Sequence, residues 1–90
     1  MLGEKIKPMQ TQQKRWQEID NLLEEMVKGQ QASLLSLAET LLPGITLEDL
    51  LQPNDYPDLE THPLFRYEEG MLAGILSVQA ALRFLGAARP

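Results

Sequence analysis

QTQQKRWQEIDNLLEEMVKGQQASLLSLAETLL, residues 10–42, contains no proline, and large apolar side chains recur in it at Trp16, Ile19, Leu23, Met26, Leu34, Leu37 and Leu41. Spacings of three, four and their sums place these residues on one face of a helix. Gly29, after Val27 and Lys28, is the residue at which the stretch could divide into two helices, because glycine readily adopts the left-handed conformation of a helix C-cap. The apolar stripe keeps its phase across Gly29, however, and an interior glycine costs only about 1 kcal/mol relative to alanine. The stretch therefore predicts one helix, about 50 Å long at about 1.5 Å per residue.

Pro43-Gly44 ends that helix, since proline lacks the amide donor and glycine permits a chain reversal. Thr46-Leu-Glu-Asp49 then reads as the start of a short helix reaching to about Gln52. The threonine hydroxyl can cap an early amide there, and the acids complement the positive helix end. Residues 53–63 hold three prolines, which bias Gln52, Tyr56 and His62 away from helix, so this segment is expected to be an ordered, irregular connector. Thr61 or His62 caps a last helix with Pro63 in its first turn, running from about Leu64 to Leu85. On a helical wheel, Leu64, Tyr67, Met71, Ile75, Val78, Leu82 and Leu85 fall together and are expected to form the core stripe. Gly70, Gly74, Ser77 and Ala81 make a second stripe of small residues, a surface that another helix backbone can approach closely.

The fold expected is thus all-α: a long antiparallel helical hairpin with a short intervening helix, in one domain of residues 1–90 with residues 1–8 disordered. Two helices alone make a poor core, and one hairpin partner covers only one face of the last helix. A homodimer completing a four-helix-type bundle is expected to cover the other, with Gly70, Gly74, Ser77 and Ala81 at its interface.

Composition narrows the function classes. A net charge of −5 and a sequence pI of about 4.7 repel a phosphate backbone, so nucleic-acid binding is not expected. Lys5, Lys7, Lys14 and Arg15 form a local basic end, but Trp16 lies in phase with Ile19 and Leu23 and reads as packing rather than as a nucleic-acid patch. The longest charge-free stretch of the second half, residues 70–82, is too short to span a bilayer, which takes roughly 20 residues. The N-terminus has no apolar run of the kind a secretory signal needs, and there is no cysteine for a disulfide, a thiolate metal site or a thiol nucleophile. A cytoplasmic setting is expected.

Glu24-Glu25, Glu48-Asp49 and Glu68-Glu69 are paired acids, but neighbours on a helix diverge by about 100° and the Glu-x-x-His pattern of bundle di-metal sites is missing. They read as solvated helix acids. His62, the only histidine, reads as a capping residue rather than a catalytic base, although Asp58 or Glu60 could orient it. Asp55, Asp58 and Glu60 concentrate acid on the connector without the glycine-centred spacing of a calcium loop. Tyr56, Leu59, Phe65 and Tyr67 either seal the end of the hairpin core or dock a partner. The expected function is a small non-enzymatic interaction protein, an adaptor or regulatory module without cofactor, presenting Asp55, Tyr56, Asp58, Leu59 and Glu60 to a protein partner. Two alternatives stand beside it. One is a metal-dependent hydrolase with Glu24, Glu25, Glu68 and Glu69 assembled at a dimer interface, and the other is a purely structural helical module.

Overall fold

The computed structural model describes residues 8–52 and 55–87, with side chains from 12 to 52 and from 55 to 86. The disorder expected of residues 1–8 lies outside the described residues except at Pro8, which already belongs to the first helix. That helix, α1, spans Pro8–Leu41 and passes through Gly29 without a break, as the phase of its apolar stripe requires.

Its last turn closes with the Leu42 amide donating to the Ala38 carbonyl at 2.7 Å. Gly44 then takes a φ of +91°, a left-handed conformation that glycine adopts without the cost borne by a side chain. This reversal drops Ile45 into the core. The short helix expected from Thr46 is a single 3-10 turn, η1, Asp49–Leu51. Its entrance is closed reciprocally: the Thr46 amide donates to the Asp49 carboxylate at 3.0 Å, and the Asp49 amide donates to the Thr46 hydroxyl at 3.3 Å.

The connector is more regular than its prolines suggest. Pro57–Glu60 forms one helical turn, α2, with Pro57 in the first position, where its missing amide hydrogen does no harm. The Thr61 hydroxyl donates back to the Pro57 carbonyl at 2.8 Å, and His62 Nδ1 accepts the Phe65 amide at 3.3 Å. His62 is therefore the cap of α3, Pro63–Ala87. Pro53, the first residue of the expected connector, lies outside the described residues.

The two long helices run antiparallel, as three pairings show: Gln30 meets Glu68, Glu24 meets Gln79, and Asp20 meets Arg83. The whole is an elongated body of 62 × 23 × 19 Å. Leu34 and Ala38 of α1, Ile45, Leu50 of η1, Leu59 of α2 and Phe65 of α3 make the core, gathered at the end where the chain turns. Phe65 and Leu59 are its largest wholly enclosed side chains. Among the described residues there is no strand, and no helix is long and apolar enough to cross a membrane.

One expectation fails. The stripe read as the core face of α3 is not the face turned to α1: Leu64, Tyr67, Met71, Val78 and Leu85 are exposed, and only Ile75 and Leu82 are half-covered. The line against α1 is Phe65, Leu72 and Gln79, rotated from the expected stripe by about 100°, the offset of one residue. Two anchors set this rotation. Phe65 is enclosed at the turning end, and at the other end a Cβ on Gly86 would overlap the Trp16 indole, so the indole lies directly on the backbone of α3. The α1 stripe is corrected in the same sense, since Val27 and Ala38 are buried while Ile19 and Met26 are exposed.

Candidate interaction surfaces

Seen along its length, the hairpin has two unlike flanks. One carries charge. Arg83 Nε donates to Asp20 at 2.7 Å and its terminal nitrogen to Glu24 at 3.1 Å, while Gln79 donates to the same Glu24 oxygen at 3.0 Å. The hydrogen bond from Arg83 holds the Asp20 carboxyl below its ordinary range, and that bond in turn raises the guanidinium. Further along lies an open groove of about 560 Å³. Its lining is mainly apolar, with Leu47, Leu51 and Leu76 exposed beside Glu48 and Glu69, so this flank carries apolar surface as well as charge.

The other flank is apolar. Ser33 and Leu37 of α1 meet Leu64 and Glu68 of α3 across a shallow depression, which fixes the residues that share this side. Steps of three and four from Ser33 lead through Gly29 to Met26, Leu22 and Ile19, all exposed. The same steps from Leu64 lead to Tyr67, Met71, Val78 and Leu85, with exposures from 42% at Met71 to 63% at Tyr67. A single leucine exposed on a surface is ordinary; eight large side chains in one field are not. Charge is sparse there, and the Glu68 carboxylate accepts a 2.7 Å hydrogen bond from the half-buried Gln30 amide.

Gly70, Gly74, Ser77 and Ala81 are all exposed, and a Cβ placed on Gly70 or Gly74 would meet nothing within 4 Å. Among the described residues nothing approaches Gly70 or Gly74 closely; the close crossing at a glycine is at Gly86 instead. Gly86 carried no sequence signal beyond its position near the end of the last helix, because its role depends on the indole of a residue seventy positions earlier.

The connector divides. Leu59 is wholly buried, so its expected place on a partner surface is corrected: the α2 turn directs it into the core beside Leu34 and Phe65. Tyr56 packs on that core and its hydroxyl donates to Asp49, which adds to the pull of Thr46 in keeping the Asp49 carboxyl low. Partial burial, and then the Asp49 charge, raise the Tyr56 phenol. Asp55 and Asp58 face solvent and Glu60 is half-covered.

The acids weighed as metal ligands are engaged apart from one another. Glu24 binds Arg83 and Gln79, Glu68 binds Gln30, Glu69 pairs with Arg66 at 3.2 Å, and Glu25 is exposed. Among the described residues no three histidine, cysteine or acidic side chains are grouped to hold a metal ion. No family model, no curated protein and no solved structure matches this chain.

Proposed function

We propose that this chain is a non-enzymatic protein-interaction module, an adaptor or regulatory subunit that works through the apolar flank of its hairpin. The observation that carries the proposal is the field of eight exposed large side chains, three on α1 and five on α3. At roughly half open each, they amount to on the order of 800 Å², more than the largest patch of an ordinary monomer at about 300–600 Å². Pairing of two hairpins into a four-helix-type homodimer is the simplest cover for such a field. The acidic connector face of Asp55, Asp58 and Glu60, at the turning end, is left to a different protein partner. A cytoplasmic setting fits a chain without cysteine.

The test separates a binding surface from a structural one. Met71→Lys and Leu22→Lys should leave the helical circular dichroism of the dilute protein unchanged while abolishing association, because these side chains add little to the core of the single chain. Loss of helix in both variants at every concentration would show that the flank belongs to the fold itself and would overturn the proposal.

A further inference from the structure

We infer that the occupant of the apolar flank is a second copy of this chain, lying antiparallel, with the two α3 helices meeting along Leu64, Tyr67, Met71, Gly74, Val78, Ala81 and Leu85 and a twofold axis at Gly74. The inference rests on the reading of the flank as a binding surface and names its partner, its orientation and its register.

The repeat comes first. Those α3 positions alternate steps of three and four through three heptads, the 3.5-residue period of a helix that packs against another helix along its length. Among the described residues this stripe is left open, because α1 packs on the neighbouring line of Phe65, Leu72 and Gln79. The occupant is therefore an α-helix rather than an extended strand or a small molecule.

Self-complementarity then chooses the helix. About an axis at Gly74, an antiparallel copy sets Tyr67, the largest side chain of the stripe, opposite Ala81, and brings Leu85 and Val78 within one residue of the positions opposite Leu64 and Met71. Gly74 meets Gly74, where the backbones must come closest, and among the described residues nothing lies within 4 Å of a Cβ placed there. The bulkiest side chain of the stripe thus faces one of its smallest, and the other apolar side chains meet partners of similar size. On α1, Ile19, Leu22 and Met26 stand beside the Val78–Leu85 end of α3, so they reach the Leu64–Tyr67 end of the other copy.

Charge and area agree with this choice. A chain of net charge −5 repels its own copy over most of its surface, but α3 carries no acid along this stripe. The open apolar field, on the order of 800 Å², matches the roughly 800 Å² that each partner contributes to a standard stable interface.

Absence of native cysteine lets single cysteines report the geometry directly. A disulfide needs Cα atoms within about 7 Å. Under mild oxidation Gly74→Cys should crosslink to itself efficiently, whereas Leu64→Cys alone and Leu85→Cys alone should not, and an equimolar mixture of these two should give the mixed dimer. Ser77→Cys, which points about 60° away from Gly74 on the wheel, should crosslink poorly. Light scattering of the parent should give twice the chain mass. Self-crosslinking of Leu64→Cys would mean a parallel pair, and efficient crosslinking of Ser77→Cys with none at Gly74→Cys would place the interface on another face of α3; either overturns the inference. So does a parent that stays monomeric at high concentration. If the lysine variants nevertheless keep their helix, the flank remains a binding surface and only its partner has been misassigned.

Discussion

The two ends of the hairpin are held by different physics. At the turning end, four elements converge on Phe65 and Leu59, both fully enclosed, and the contacts are apolar. At the open end, among the described residues, α1 and α3 alone meet, through the Asp20–Arg83–Glu24–Gln79 cluster and the contact of Trp16 with Gly86. Enclosed apolar contacts resist salt and acid, while half-exposed ion pairs contribute little and are screened. A helical hairpin of this kind can stay closed at one end while its other end opens locally. The bare apolar flank extends to the weaker end, so covering it would also stiffen that end.

The largest expected effect comes from the turning end. Phe65→Ala should destabilise the fold by about 3–5 kcal/mol, the range for emptying a well-packed aromatic site, and Leu59→Ala by about 2–5 kcal/mol. Chemical denaturation followed by circular dichroism measures both. If Phe65→Ala costs no more than a surface substitution, the turning end is not the stable one and the contrast between the ends collapses.

An intermediate effect should come from the Trp16 contact. A methyl group at Gly86 would occupy the space of the indole, so Gly86→Ala must expel the ring although alanine suits a helix better by about 1 kcal/mol. We expect a net loss of about 1 kcal/mol, at the low end of the overpacking range, and a red shift in the emission of the single tryptophan. Gly29→Ala is the control: a Cβ there meets nothing within 4 Å, so stability should rise by up to about 1 kcal/mol. Amide exchange should sharpen the result, with Gly86→Ala accelerating exchange near Trp16 and leaving Leu34 and Phe65 protected. Equal acceleration at both ends would mean that the hairpin opens as one unit.

The same contrast explains what could be read from the sequence. The long first helix, the turn at Pro43-Gly44, the Thr46 cap and the entrance at His62-Pro63 all follow from local chemistry, and each has its hydrogen bond or dihedral angle in the structure. The rotation of α3 was not legible. Its sequence offers two lines one residue apart, and hydrophobicity alone favours Met71, Val78 and Leu85 over Leu72, Gln79 and Gly86. What decides is non-local: the enclosure of Phe65 among residues from three other elements, the space over Gly86, and Gln79 finding Glu24 fifty-five positions away. The exposed flank is a consequence of α3 using its other line against α1. From sequence alone Leu59 fits either the core or a partner surface, because three prolines obscure the single helical turn that aims it inward.

The smallest expected effect is in the acid range, and it tests the nature of the open end. Asp20 and Asp49 both titrate below the reference value of 3.8, Asp20 chiefly through its hydrogen bond from Arg83 and Asp49 chiefly through the Thr46 amide. Because the folded pKa is the lower one, each carboxylate's contribution is complete above about 3.8 and is lost as the pH falls through the depressed folded value. Both groups are accessible to solvent, so each shift in melting temperature between about pH 5 and about pH 2.5 should be small. Salt separates them. The Asp20 contribution depends on a half-exposed cation and should fade in about 1 M salt, where the screening length is about 3 Å, while the Asp49 contribution depends on a backbone donor and should persist. Asp20→Asn should therefore reduce the acid sensitivity of the melting temperature at low salt only, and Asp49→Asn at both. If Asp20→Asn acts equally at high salt, the open end is held by packing rather than by charge, and the two ends of the hairpin are more alike than their contacts suggest.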